Sequence, residues 1–225
     1  ILKIIDIINP KRNEIILEIG PGKGALTIPL SNKVKSIHGI EIDPMLINYL
    51  KDLKIKNLKI KKLDVLKYSN KEFIHYNKII GNIPYNISSQ IILKFIKEDF
   101  GKTMIFMLQK ELAERIVSKH GTKKYGRISV MVQSFSNVSI KSNISQNVFI
   151  PKPNVDSCII KIVKKNNDLP FEEFSDFVRE AFKQRRKKLK NNLKTIYDIK
   201  LLGKIGDLRP ENISIKKFKK LYKKI

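Results

Sequence analysis

The apolar positions of this chain fall into two kinds of run. Ile1, Ile4, Ile5 and Ile8 recur at helical spacing and stop at Asn9-Pro10, which predicts a short helix ending there. The pattern is already under way at Ile1, with no Met and no signal-peptide pattern, so the native N-terminus is expected to lie ahead of it. Short apolar runs then appear at Ile15 to Ile19, Ser36 to Ile42, Leu58 to Leu63, Ile79-Ile80 and Thr103 to Leu108. They have the form of strands, and those at Ile15 to Ile19 and Ile79-Ile80 read as buried. Helical patterns separate them: one after Gly24, one starting at Pro44, one over 88–98 (Ile91, Ile92, Phe95, Ile96) and one over Gln109 to Val117. Alternating strands and helices predict an open α/β sheet. Further strands are expected at Ile128 to Phe135, at Val138 to Ile144 and in the alternating run Ser157 to Val163.

From Pro170 onwards the pattern is helical. Phe174, Phe177, Val178, Ala181, Phe182, Leu189, Leu193 and Ile196 keep one face apolar, with Pro170 in the first turn and Glu172 and Glu173 at the positive end of the dipole. A shorter helix is expected to end near Gly203, and Ser214 to cap a final helix over Lys216 to Lys224. The boundary between an α/β domain (1–166) and a small helical domain (167–225) falls at this change of period.

Composition narrows the classes. A chain of 225 residues with 42% hydrophobic content can bury one good core plus a small second unit. No apolar run approaches the roughly 20 residues that span a bilayer, so a soluble protein without membrane partners is expected. The single Cys158 excludes an internal disulfide framework and points to a reducing compartment; its place in a strand-like run marks it as packing. His38, His75 and His120 have no metal-ligand spacing, and no metal is expected. The formal charge of +25 favours a polyanionic partner, although the abundance of Lys, Ile and Asn is also what an AT-rich genome imposes on solvated faces.

Candidate chemistry clusters at strand ends, where open α/β sheets bind their ligands. The strand Ile15 to Ile19 runs into Gly20-Pro21-Gly22-Lys23-Gly24. Gly20 and Gly22 allow tight backbone geometry and close approach of a ligand. The second strand ends in Glu41-Ile42-Asp43, where a carboxylate can accept two hydrogen bonds from a ribose diol. The third ends at Asp64-Val65, which could hold the adenine amine of a nucleoside cofactor; loop solvation or helix capping by Glu41 and Asp64 is the plainer alternative. The spacing Glu18-x-Gly20-x-Gly22-x-Gly24 departs from the dinucleotide fingerprint and looks like the nucleoside motif of class I S-adenosylmethionine methyltransferases.

The fourth strand empties onto Asn82-Ile83-Pro84-Tyr85. An amide oxygen and a backbone carbonyl can accept both N–H bonds of an exocyclic amine while the ring stacks on the base. Proline fixes φ and leaves its carbonyl free. The loop reads as that of an adenine-N6 methyltransferase, or as an ordinary turn with Ser88 as cap. The segment Gly121 to Arg127, carrying Lys123, Lys124, Tyr125 and Arg127, is either a phosphate-contact loop or a solvated turn. The basic block Lys183-Gln184-Arg185-Arg186-Lys187-Lys188-Leu189-Lys190 contains arginines able to form bidentate phosphate contacts. Lys183, Arg185, Arg186, Lys187 and Lys190 are the RNA-binding candidates there.

Gly20-Pro21-Gly22, Asn82-Ile83-Pro84-Tyr85, Gln109-Lys110-Glu111, Tyr125-Gly126-Arg127-Ile128-Ser129 and Phe149-x-Pro151-x-Pro153-x-Val155-Asp156-Ser157 occur together and in order. In this the chain resembles, over essentially its whole length, the KsgA family of ribosomal RNA adenine dimethyltransferases. The resemblance implies a Rossmann-like class I methyltransferase fold with a seven-stranded, mostly parallel sheet, followed by a small C-terminal helical domain that docks on rRNA. It implies S-adenosyl-L-methionine as cofactor, held by Gly20, Gly22, Glu41, Ile42, Asp64, Val65 and Asn82. Asn82, the Pro84 carbonyl and Tyr85 would be catalytic, with Tyr85 and Phe149 stacking on the target adenine. The substrate it implies is a pair of adjacent adenosines in the 3′-terminal hairpin of small-subunit rRNA in an assembling subunit, met by a monomer in the cytoplasm or an organellar matrix. The family opens with a Gly-Gln-Asn-Phe-Leu-type segment, and this chain starts after it. Two other readings stay open: a large-subunit rRNA adenine methyltransferase of the macrolide-resistance type, and a non-catalytic RNA-binding assembly factor on the same fold.

Overall fold

The computed structural model describes residues 1–69, 75–98, 100–148 and 154–225. The chain forms a seven-stranded sheet in the order β3-β2-β1-β4-β5-β7-β6. Its strands are β1 (Ile15–Ile19), β2 (Ser36–Glu41), β3 (Leu58–Lys62), β4 (Tyr76–Asn82), β5 (Gly101–Gln109), β6 (Ser136–Ile144) and β7 (Ser157–Lys164). Strands β3, β2, β1, β4 and β5 are parallel neighbours, and β7 runs antiparallel to β5. The helices in the first part of the chain are α1 (Leu2–Ile8), α2 (Thr27–Ser31), α3 (Pro44–Asp52), α4 (Ser88–Lys97) and α5 (Lys110–Val117).

The chain groups into two compact units. One comprises Ile1–Lys110 with Ser139–Lys164, the other Glu111–Val138 with Lys165–Ile225. The division differs from the linear cut at 166/167. The expected strand Ile128 to Phe135 is instead a helix, α6 (Arg127–Phe135), and it belongs to the second unit with α7 (Phe171–Ala181) and α9 (Ile215–Tyr222). Ile128, Ser129, Val130, Met131, Val132, Ser134 and Phe135 are all buried. A helix surrounded by protein keeps no polar face, so its β-branched run reads as a strand. Its start is marked by Gly126, whose N–H donates to Ser129 Oγ at 3.0 Å.

In the first unit Ile5 and Ile8 of α1, Ile16, Ile37, Ile80 and Ile105 form one buried cluster. The central pairing of β1 with β4 is close enough to dictate sequence: a Cβ at Gly81 would stand 2.5 Å from the Ile19 carbonyl oxygen. Only glycine lets β4 deliver the next residue, Asn82, beside the end of β1.

In the second unit Phe174, Phe177 and Phe218 are fully buried, and Phe177 meets Phe218, Tyr197 and Tyr222 edge-on or tilted. The apolar helical face expected to run through to Ile196 is broken. Helix α7 ends at Ala181 and α8 (Leu189–Leu193) begins eight residues later, so most of the basic block lies in the turn between them. Pro170 is the N-cap residue of α7, one position earlier than expected. Ser214 caps α9, its side chain accepting from Lys217 N at 3.4 Å. Among the described residues no helix is long and apolar enough to cross a membrane.

Candidate functional site

Four consecutive neighbours in the sheet, β3, β2, β1 and β4, end side by side and carry the acidic, glycine and amide residues singled out in the sequence. At the end of β1, Gly20 and Gly22 take φ values of +63° and +58°, a region that L side chains enter only with strain. Gly20 N continues the ladder to Ile40 O at 2.9 Å. Nothing lies within 4 Å of the place a Gly22 Cβ would occupy, so this turn presents bare backbone to an open space.

Glu41, at the end of β2, is buried and tied to that turn. Its Oε2 accepts from Gly22 N at 3.1 Å, and its Oε1 accepts from Ile42 N at 2.8 Å and Asp43 N at 3.1 Å. A carboxylate has about four acceptor positions, so one on Oε2 stays open for an outside donor. Ile42 is 65% exposed, an apolar cover beside the carboxylate. Asp64 does cap: its Oδ1 accepts from Leu66 N at 2.9 Å at the start of the turn Val65–Lys67. Val65 is buried.

Asn82 is exposed and opens onto an apolar cavity of about 680 Å³ that Leu26, Ile105, Met107 and Ile144 also line. Pro84 holds φ at −56°, but its carbonyl is not free. It accepts from Ser88 Oγ at 2.7 Å and from Ile87 N at 3.3 Å. The short 3-10 turn Tyr85–Ile87 bends the chain back and brings the first residue of α4 under the carbonyl; Ser88 therefore follows the N-cap residue, Ile87, and does not itself cap. Tyr85 is half-buried, and its hydroxyl lies 2.7 Å from Oγ of the fully buried Ser157. Asp156, one residue earlier, accepts from Lys110 N through its carbonyl at 3.0 Å and from Gln146 N through Oδ1 at 3.1 Å. The described end of the Val155-Asp156-Ser157 stretch thus fastens the aromatic ring of the loop. Phe149, the second expected stacking residue, lies outside the described residues. Ser157 carries no sequence signal of a polar role beyond its place in its motif.

Glu18 lies beneath the glycine turn, 2% exposed, and accepts from Thr27 Oγ1 at 2.8 Å. Burial pushes its carboxyl up to about 7; the Thr27 hydrogen bond opposes the shift and the charge of Glu41 adds to it. The folded state therefore holds a proton that the unfolded chain gives up near 4.5. This contribution to stability is complete below that value and is lost as pH rises towards 7. Glu18→Gln is expected to melt higher than the parent at pH 8 and to flatten the fall of Tm between pH 5 and pH 8. An unchanged pH profile in thermal melts would place the proton elsewhere.

The cationic candidates belong to the second unit, and several are already paired. Lys124 pairs with Glu114, Lys183 with Glu180 at 3.2 Å and Lys190 with Asp207 at 2.9 Å. Arg127 Nη2 donates to Ser175 Oγ at 3.2 Å. Arg185 pairs with Glu211 at 2.5 Å. Lys123, Arg186 and Lys187 are exposed. Tyr125, which the sequence placed in the phosphate-contact loop, is fully buried and donates to Ile213 O at 2.9 Å, so its ring is part of the core. No group of three or more His, Cys, Asp or Glu residues that could hold a metal ion occurs among the described residues.

The family described as ribosomal RNA adenine dimethylase matches residues 1–213. The chain belongs to that family. It is 43% identical to ribosomal RNA small subunit methyltransferase A of Borreliella burgdorferi, over 96% of this chain and 80% of that protein. It is 39% identical to the protein of the same name from Ureaplasma parvum, over 98% of this chain and 86% of the relative. Among solved structures, a dimethyladenosine transferase from Plasmodium falciparum superposes with a TM-score of 0.87 at 28% identity, covering 97% of this chain and 92% of that one. The 23S rRNA methyltransferase ErmE shares the fold, with a TM-score of 0.74 at 22% identity over 99% of this chain and 95% of that one. The class I methyltransferase architecture of the adenine dimethylase family is thus the architecture of this chain.

Proposed function

We propose that the chain dimethylates N6 of two adjacent adenosines in the 3′-terminal hairpin of small-subunit rRNA, using S-adenosylmethionine, as a monomer acting on assembling subunits in the cytoplasm or an organellar matrix. The observation that carries the reading is the convergence of an exposed asparagine amide, a fixed proline carbonyl and an anchored tyrosine at the end of β4, beside the bare glycine turn and Glu41. Relatives named for small-subunit rRNA methylation and dimethyladenosine transfer support it.

The residues present fit the cofactor. The open backbone at Gly22 leaves room that a side chain would fill, and the remaining acceptor position on Glu41 Oε2 faces the same turn and suits a ribose hydroxyl. Ile42 would cover the face of the adenine, with Asp64 and Val65 at its amine edge. The bound cofactor supplies a methyl group on a positively charged sulfur.

The rest is work for the chain. The adenine amine is a poor nucleophile because its lone pair is delocalised into the ring. Asn82 Oδ1 and the Pro84 carbonyl would accept its two N–H bonds, holding the nitrogen for in-line attack and favouring a more tetrahedral geometry. For Pro84 this requires displacing the longer of its two bonds, the 3.3 Å contact from Ile87 N, while the 2.7 Å bond from Ser88 stays. Tyr85, held at its tip by Ser157, would stack on the extruded base and offset an unstacking cost of about a few kcal/mol. As the new C–N bond forms and the S–C bond breaks, the amine proton becomes acidic and leaves to water, so no strong general base is required.

Labelled methyl transfer to unmethylated small subunits, compared with transfer to free large-subunit RNA, tests the reading. Dimethyladenosine on the small subunit is expected. Product confined to large-subunit RNA would move the assignment to the macrolide-resistance type, and binding without transfer would make the chain an assembly factor.

A further inference from the structure

Arg185 sits in the densest run of cations in the chain, Lys183 to Lys188, yet its guanidinium is committed to the protein. Its Nε donates to Glu211 Oε2 at 2.5 Å, and its Nη2 donates to Lys123 O at 2.5 Å and to Thr122 O at 3.4 Å. Glu211 lies in the short turn Pro210–Asn212, and its own backbone carbonyl accepts from Gly121 N at 2.7 Å. The buried Tyr125 hydroxyl adds a third tie, to Ile213 O. The loop 119–125 is therefore fastened to 211–213 at both of its ends. Arg185 is the one side chain of the basic block bonded to both partners. Around this junction Lys119, Lys123 and Lys124 of the loop and Arg186 and Lys187 of the turn are exposed.

We propose that Arg185 and Glu211 form a clasp that positions the lysines of loop 119–125 beside Arg186 and Lys187 as one phosphate-binding surface for RNA. In this arrangement Arg185 is a positioning residue and leaves phosphate contact to its neighbours. The inference rests on the reading that the chain acts on rRNA. A guanidinium has five N–H donors in a fixed fork, and the fork of Arg185 is aimed at a carboxylate and two carbonyls of its own chain.

The clasp inverts a simple electrostatic expectation. Removing an acid from a cationic surface adds net positive charge and, through counterion release alone, tightens binding to RNA. If Glu211 serves to hold the surface in shape, Glu211→Gln weakens binding instead, by about fivefold, the scale of one partly exposed ion pair.

The test is fluorescence anisotropy of the full chain with a labelled RNA hairpin at two salt concentrations, for the parent, Glu211→Gln, Arg185→Lys and the double variant Arg186→Ala/Lys187→Ala. Weaker binding by Glu211→Gln is expected; binding equal to or tighter than the parent overturns the clasp. The double alanine variant is expected to bind more weakly and with a shallower salt dependence. If it binds as the parent does, this face does not meet RNA, and the rRNA-docking reading of the helical unit fails together with the clasp. Should Glu211→Gln fail to fold, amide exchange of Arg185→Lys without RNA decides. Faster exchange at Gly121 to Lys123 is expected from a broken clasp, whereas unchanged exchange would return Arg185 to the role of phosphate ligand.

Discussion

Asn82→Ala is expected to lower the rate of methyl transfer by about 10²–10³-fold, the range seen when one preorganised polar contact to a reacting group is removed, while Tm stays close to that of the parent. The two halves of this expectation have separate causes. Asn82 ends β4 in register with Met107, and its side chain is exposed beside an apolar cavity, so truncating it removes no packing and leaves the β4–β5 backbone ladder intact. In the proposed reaction the lost amide oxygen is one of two acceptors for the target amine, and the other, on Pro84, already carries two bonds. The loss should appear in the single-turnover rate at saturating RNA, with RNA affinity nearly unchanged. Asn82→Asp keeps an acceptor in the same place and is expected to retain about tenfold more activity than the alanine variant. An alanine variant with most of the parent rate would remove Asn82 from the reaction.

The parts of this site that were legible in the sequence are those written locally. Apolar runs of strand length ending in Gly20, Glu41, Asp64 and Asn82 announce four strand ends, and the fold brings them together because β3, β2, β1 and β4 are sheet neighbours. What was not legible depends on partners far along the chain. Ser157 meets Tyr85 across 72 residues and Arg185 meets Lys123 across 62, and neither pairing has a local signature. The basic block reads as a row of outward phosphate ligands because the sequence shows the cations and hides Asp207 and Glu211, which pair with Lys190 and Arg185. Helix α6 is hidden in the sequence for the opposite reason. Burial on every side erased the polar stripe by which an amphipathic helix is recognised, and with it went the membership of 111–138 in the helical unit. The Pro84 carbonyl reads as free in the sequence because a proline lacks only the donor; what the carbonyl accepts depends on how tightly the next turn closes, and here Ser88 and Ile87 reach it.

A second large effect is expected at Glu41, and it separates binding from chemistry. Glu41→Ala should weaken the affinity for S-adenosylhomocysteine, measured by calorimetry, by about 100-fold, since hydrogen bonds to a charged group contribute about 1.5–3 kcal/mol each. The variant would lose the proposed acceptor for a ribose hydroxyl and also releases Gly22 N, Ile42 N and Asp43 N, which the carboxylate holds in place. Glutamine is no substitute here. Its amide presents one oxygen and one NH₂, so in either orientation a donor faces Gly22 N or faces Ile42 N and Asp43 N. The favourable orientation keeps the pair of bonds at the Oε1 position and turns the NH₂ towards Gly22 and the ribose, where an acceptor is needed. Glu41→Gln should therefore fold better than Glu41→Ala yet bind cofactor almost as poorly. Because the residue would contact the ribose end in the proposed reading and not the transferred methyl, KM for S-adenosylmethionine should rise while kcat at saturating cofactor stays within a few-fold of the parent, the reverse of the Asn82 pattern. Parent-like cofactor affinity in both variants would detach Glu41 from the ribose and leave it as a brace for the glycine turn alone.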